Sequence, residues 1–210
     1  QFDAVVANPP YMGGKGMNPQ LKRLVEGKYR FAKGDLYTCF IAQNTRLSKE
    51  NGIVAMITIP NWMFLSSFEE LRNHLFEVAS IETFSHNGRG VFGSDFGSCA
   101  FTVRKSSIAN FQGRFKRLFE KQGSIATNDE LQERFISSDC FQVSIADFKK
   151  IPGSPIAYWV AQSAIKCFSG RQVGDLTISD GQNKTGDNGR FVRLWWEVSH
   201  KCFGVGNKWL

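Results

Sequence analysis

Phe2-Asp3-Ala4-Val5-Val6-Ala7-Asn8-Pro9-Pro10-Tyr11 decides how this chain is to be read. Its first part is a mostly apolar run that reads as a buried strand. Its last four residues put an amide, two prolines and an aromatic ring at the carboxyl end of that strand. Open α/β sheets bind their ligands at this edge. Consecutive prolines keep the backbone stiff and non-helical and supply no N–H. The corner therefore offers acceptors, namely the Asn8 side-chain oxygen and backbone carbonyls, with the face of Tyr11 beside them. Such a corner suits a flat molecule carrying an –NH2 group.

Working outward, a polar glycine-rich loop runs from Met12 to Met17, and Asn18-Pro19 reads as an N-cap followed by proline at the first helical position. The short helix it opens is expected to stop at Gly27. Lys15, Lys22, Arg23, Lys28, Arg30 and Lys33 make this the most basic part of the chain. Asp35 is expected to cap a helix to about Glu50, with Leu36, Phe40 and Leu47 at helical spacing and Gly52 as its stop. The run Ile53 to Ile59 predicts a strand covered on both faces, as in a parallel sheet. Ser67-Phe68-Glu69-Glu70 reads as a capping box for a helix whose buried stripe is Phe68, Leu71, Leu75 and Val78. Strands at Ile81–Phe84 and Cys99–Arg104 complete a β-α-β-α-β-β order, half of a doubly wound sheet ending in a hairpin. Gly88-Arg89-Gly90-Val91-Phe92-Gly93 is formally a G-x-G-x-x-G, but a strand rather than a helix comes after it, so it reads as a loop carrying an exposed Phe92.

Periodicity weakens after Ser106. Thr127-x-x-Glu130 predicts a short helix to Phe135, Phe141 to Phe148 reads as extended, and Ser154-Pro155 is expected to start a helix through Phe168 that Gly170 ends. Beyond it the chain turns polar and Gly/Asn-rich. Three regions result, 1–105, 106–170 and 171–210, without an internal repeat.

A chain of 210 residues, 42% hydrophobic, is long enough to bury a core. Its formal charge of +7 and pI near 9.3 favour a polyanionic partner. No apolar stretch approaches the roughly 18 residues of a membrane span, and the start lacks the features of a signal peptide. Cys39, Cys99, Cys140, Cys167 and Cys202 are scattered and never in a C-x-x-C pair, and only His74, His86 and His200 could join them. No metal site is expected; the thiols read as buried and reduced in a cytoplasmic protein. Opening on Gln1 inside a core strand, the chain is expected to be part of something longer.

Asn8-Pro9-Pro10-Tyr11 matches the signature of amino-methyltransferases that use S-adenosylmethionine, above all the adenine-N6 DNA enzymes. In order after it come Lys15-Gly16-Met17-Asn18, Asp35-Leu36-Tyr37, Asn61-Trp62-Met63-Phe64-Leu65-Ser66-Ser67-Phe68-Glu69, Gly88 to Gly93, Ile151-Pro152-Gly153-Ser154-Pro155 and Thr185-Gly186-Asp187-Asn188. This series resembles the adenine methyltransferases of BREX phage-defence systems (PglX type), which are related to the type IIG restriction-modification enzymes. The resemblance implies the C-terminal half of a Rossmann-like methyltransferase sheet in 1–105, a connecting segment in 106–170, and the start of an α+β target-recognition region in 171–210. It assigns Asn8 and Pro9 to the target amino group, each accepting one N–H so that the nitrogen's lone pair points at the sulfonium methyl, with no general base. It assigns Tyr11 to stacking on a flipped adenine, Phe92 (with Phe96 as rival) to the edge of that base, and Pro10 and Phe40 to the cofactor's adenine. Phe40 reads equally well as a core aromatic of its helix. Lys15, Lys22, Arg23, Thr185, Asn188 and Arg193 would contact double-stranded DNA. In such enzymes most of the cofactor site precedes the N-P-P-Y, so this chain alone is expected to bind S-adenosylmethionine poorly, and its first strand to have an exposed edge. The activity implied is site-specific DNA adenine-N6 methylation, with other phage-defence subunits as further partners. The alternatives are methylation of RNA or of a protein glutamine, and a non-catalytic DNA-binding subunit.

Overall fold

A computed structural model describes residues 1–91, 96–119, 127–171, 175–176, 188–192 and 195–197. The chain divides into two units, Gln1–Gly170 and Arg171–Leu210. The first is built on one six-stranded mixed sheet. Its strands are β1 (Phe2–Ala7), β2 (Ser48–Thr58), β3 (Ser80–Gly88), β4 (Ser98–Arg104), β5 (Gln112–Arg117) and β6 (Cys140–Ser144), in spatial order β1-β2-β4-β3-β5-β6. Pairing is parallel for β1 with β2 and for β3 with β5, and antiparallel elsewhere. Consequently β1, β2, β3 and β5 all run the same way, and their carboxyl ends share one edge.

The helices of this unit are α1 (Pro19–Lys28), α2 (Leu36–Leu47), α3 (Glu69–Val78), α4 (Asn128–Ser137), α5 (Ile145–Phe148) and α6 (Gln162–Cys167). Asn18 caps α1 by accepting the Leu21 N–H at 2.8 Å, and Thr127 caps α4 by accepting that of Glu130 at 3.1 Å, as their spacing predicts. Four of the expected elements differ in the structure. Helix α2 ends at Leu47, not near Glu50, because Asn51 (φ 63°) and Gly52 form a tight excursion at the start of β2. A Cβ on Gly52 would come within 2.9 Å of the Lys49 carbonyl, so glycine is required there. Ser67 caps nothing: Ser66–Phe68 winds as a 3-10 turn and α3 starts at Glu69 with no side-chain cap. Ser154-Pro155 does not open a helix either. Ser154 has φ 49°, the chain stays irregular, and Ile156 donates its N–H to the Met63 carbonyl at 2.9 Å. Of the expected extended stretch Phe141 to Phe148, the first part is β6 and the second is α5.

Among the described residues the sheet is covered on one face, not two. Along β2, Val54, Met56 and Thr58 are buried while Ala55 and Ile57 remain half-exposed. That alternation is the signature of a strand with one packed side. On the packed face an aromatic row crosses three strands: Phe101 stacks on Phe84 with centroids 5.8 Å apart, and Phe84 on Phe115 at 5.8 Å. Tyr158 continues the row at 5.2 Å from Phe115. Each ring fully removed from water contributes about 1.5–3 kcal/mol. Residues 106–170 thus extend the same sheet and the same core.

Arg72 on α3 is 1% exposed. Its guanidinium donates to the carbonyls of Trp62, Leu65, Gly153 and Ser154, at 2.6–3.1 Å. Burial lowers its pKa, and the neighbouring Glu69 carboxylate works in the opposite direction. This one side chain ties α3 to the loop after β2 and to the turn at Gly153. In the second unit the described elements are α7 (Asn188–Phe191) and a 3-10 turn at Trp195–Glu197.

Candidate active site

Asn8 comes directly after β1, whose last residue, Ala7, pairs with Met56 of β2. β1 is an edge strand, with Phe2 and Val6 exposed. The Asn8 side chain is solvent-accessible and lines, with Val6, Ala55 and Ile57, a cavity of about 940 Å³ along the uncovered sheet face. Pro9 is buried and Pro10 exposed. The Pro9 carbonyl accepts no hydrogen bond among the described residues.

The Tyr11 hydroxyl donates to Asn8 Oδ1 at 3.3 Å and lies 3.5 Å from the Ile57 carbonyl. Its ring is 46% exposed and meets Tyr37 edge-on at 5.8 Å. Burial of the phenol, then the neighbouring Cys99, push the Tyr11 pKa up, which keeps the hydroxyl protonated and a donor.

Asp35 holds the loop that leaves Tyr11. Its Oδ1 accepts the Met12 N–H at 2.9 Å and the Tyr37 N–H at 3.3 Å, while Leu36 N–H returns a bond to the Met12 carbonyl at 3.0 Å. One carboxylate thus caps α2 and clamps the exit from the corner. Gly34 allows the approach: a Cβ there would meet the Phe68 ring at 2.7 Å. Phe40, one turn beyond Leu36, is half-buried and packs against the core. Local sequence signals around Asp35 reveal the cap alone; its second bond, to Met12, has no local signature.

Lys15, Lys22 and Arg23 are exposed and have no carboxylate partner among the described residues. Phe96 is 74% exposed. Phe92, Thr185 and Arg193 lie outside the described residues; Asn188 opens α7, with its side chain likewise outside them. The structure therefore brings Asn8, Pro9 and Tyr11 together with Ile57 and Asp35, while Phe40 sits on α2, packed against the core. Cys39 and Cys99 are buried free thiols, but Cys140 and Cys167 are exposed, contrary to expectation. Among the described residues no cluster could hold a metal ion, and no helix is long and apolar enough to cross a membrane.

The mixed sheet is a fold shared with methyltransferases of restriction-modification systems. The type I methyltransferase subunit from Streptococcus thermophilus superimposes on it with a TM-score of 0.52 at 17% identity, over 73% of this chain and 36% of that one. Residues 1–92 match the Eco57I restriction-modification methylase family. The chain is similar in sequence to two curated adenine-specific methyltransferases. It is 38% identical to "Adenine-specific methyltransferase BrxX" of Escherichia coli O9:H4 (strain HS) over 100% of its length, and 34% identical to "Adenine-specific methyltransferase PglX" of Lacticaseibacillus casei (strain Zhang) over 94%. It spans 18% and 17% of those two proteins.

Proposed function

We propose that the protein containing this chain is a site-specific DNA adenine-N6 methyltransferase of phage defence or restriction-modification, and that this chain supplies its catalytic corner. The observation that carries the reading is the accessible Asn8 amide beside an accessible Tyr11 ring, with a free Pro9 carbonyl between them.

The amine of an adenine is a weak nucleophile because its lone pair is shared with the ring. Asn8 Oδ1 and the Pro9 carbonyl would each accept one of its N–H groups, drawing the nitrogen toward tetrahedral geometry. Tyr11 would stack on the face of the flipped base, its hydroxyl still anchored on the Ile57 carbonyl when the amine takes over Asn8 Oδ1. The surplus proton leaves to water through the open side at Asn8. None of these steps needs a general base, so the gain is one of orientation and fixed dipoles.

Pro10, exposed beside the Asp35-clamped loop, and Phe40, half-buried on α2, would hold the adenine of S-adenosylmethionine through their apolar surfaces. That cofactor, when bound, supplies an electrophilic methyl group. Lys15, Lys22 and Arg23 would meet the phosphates, Thr185, Asn188 and Arg193 would contact DNA from the beginning of the recognition region, and Phe92 the edge of the base. Residues 171–210 would begin the recognition region. Phosphate contacts position a duplex and base contacts choose its sequence.

Supplying the full-length protein with tritiated S-adenosylmethionine and offering duplex DNA, RNA and protein side by side tests this reading. Label is expected in duplex DNA; label in RNA or protein instead would replace the substrate, and DNA binding without any transfer would make it a binding subunit.

A further inference from the structure

A second cavity, of about 330 Å³, opens among the loops after β2, β3 and β5. Because these strands run with β1, their loops lie on the edge that also carries Asn8. The two sites are joined along the chain: Ile57, whose carbonyl faces the Tyr11 hydroxyl, is followed closely by Pro60 and Asn61 of the cavity wall. Three strand steps separate β1 from β3, about 14 Å at the usual spacing.

The cavity wall is aromatic and cationic. The Arg117 guanidinium lies over Phe119 at 4.6 Å and Trp159 at 5.6 Å, and Phe64 meets Trp159 edge-on at 5.5 Å. Phe64 and Trp159 are 37% and 39% exposed, so both leave ring surface open. The Arg117 side chain makes no hydrogen bond and no ion pair among the described residues, and its Nε is buried without a partner. Arg89 adds a second cation, and the described lining contains no carboxylate. His86, beneath, is held neutral: burial and then Arg117 push its pKa down to about 4.

A buried donor left unmet calls for an acceptor. A planar guanidinium held flat by rings presents paired N–H groups that match a phosphate, and exposed aromatic faces stack nucleobases of any sequence. We propose that this cavity is a second nucleotide subsite, taking a phosphate at Arg117 and Arg89 and the attached base on Phe64 and Trp159. Resting on the methyltransferase reading, its occupant is a nucleotide of the DNA strand a few positions from the adenine held at Asn8. A free mononucleotide shares the chemistry and is separated by experiment.

The test uses the full-length protein and a short duplex that it methylates. Successive phosphates around the target adenine are replaced, one at a time, by neutral methylphosphonates, and binding is read by fluorescence anisotropy. Wild-type protein should lose about tenfold in affinity at one phosphate outside the target nucleotide. Arg117→Gln, checked for a native melting temperature, should abolish that position's effect and lower the slope of log Kobs against log[salt] by about 1, whereas Arg117→Lys should keep the slope. The wild-type scan stands by itself if a variant fails to fold. A flat phosphate profile in a protein that does methylate DNA overturns the subsite alone, while a protein that methylates no DNA overturns the reading beneath it. Binding of AMP that Arg117→Gln abolishes, together with a flat profile, overturns the strand as occupant and assigns the free nucleotide.

Discussion

Asp35 Oδ1 accepts the backbone N–H of Met12 at 2.9 Å, tying the residue after the Asn-Pro-Pro-Tyr corner to the first turn of α2. The bond spans 23 positions in the chain and couples the corner's geometry to the stability of a helix that packs on the sheet. Asp35→Ala should remove both the cap and the clamp, costing about 1–2 kcal/mol of stability. Methyl transfer should fall by more than that loss explains, because a misplaced corner costs orientation. Asp35→Asn keeps an acceptor oxygen and should restore most of both. Thermal melting and single-turnover transfer rates of the two variants check this.

Arg72 predicts a large stability effect far from any chemistry. Arg72→Met leaves the carbonyls of Trp62, Leu65, Gly153 and Ser154 without their donor inside the fold. Unmet buried groups place this substitution among the severe ones, at about 3–4 kcal/mol. Denaturant titration should give a lower midpoint, and protease should cut first in the loosened segments 60–65 and 151–158.

The same residue explains where local reading of the sequence stopped. Elements whose signals are local were legible: Asn18-Pro19 opening α1, Thr127 capping α4, and the strand at Cys99–Arg104. The capping box at Ser67 and the helix start at Ser154-Pro155 carry equally good local signals and are not used. At Ser154-Pro155, Arg72, more than 80 residues away along the chain, captures the Gly153 and Ser154 carbonyls and holds the backbone in a turn, and before α3 it takes the Trp62 and Leu65 carbonyls. Tertiary hydrogen bonds outweigh a few tenths of a kcal/mol of local preference. The Asn8–Tyr11 corner was legible because it is confined to four consecutive residues. The clamp from Asp35 and the cavity around Arg117 were not, since each joins segments that only the folded sheet brings together.

His86 makes stability depend on pH. Its pKa falls from the ordinary 6.5 to about 4 on folding, first through burial and then through Arg117. Between these values the unfolded chain binds the proton and the folded chain does not, so stability is full above pH 6.5 and is lost as pH falls toward 4. The total loss is about 3 kcal/mol at 1.36 kcal/mol per unit. His86→Gln should flatten this part of the profile, read as melting temperature between neutral pH and the acid limb.

Tyr11 combines an accessible ring with a hydroxyl bonded to Asn8. Tyr11→Phe keeps the ring and should lower transfer by about tenfold or less, the effect of one modest hydrogen bond. Tyr11→Ala should also lose the stacking, about 1–3 kcal/mol, and with it the extrahelical base. Fluorescence of 2-aminopurine at the target position separates the two: it should rise on binding with Tyr11→Phe and stay low with Tyr11→Ala.

The most direct measurement is the rate at which the full-length protein and its Asn8→Ala variant convert duplex adenine to N6-methyladenine. Asn8 is accessible, so its truncation should leave melting within about 0.5 kcal/mol of wild type. Losing one preorganised acceptor should cut the single-turnover rate by about 100-fold or more. Methylation by a folded Asn8→Ala protein at the wild-type rate would contradict the role given to the corner and the function built on it.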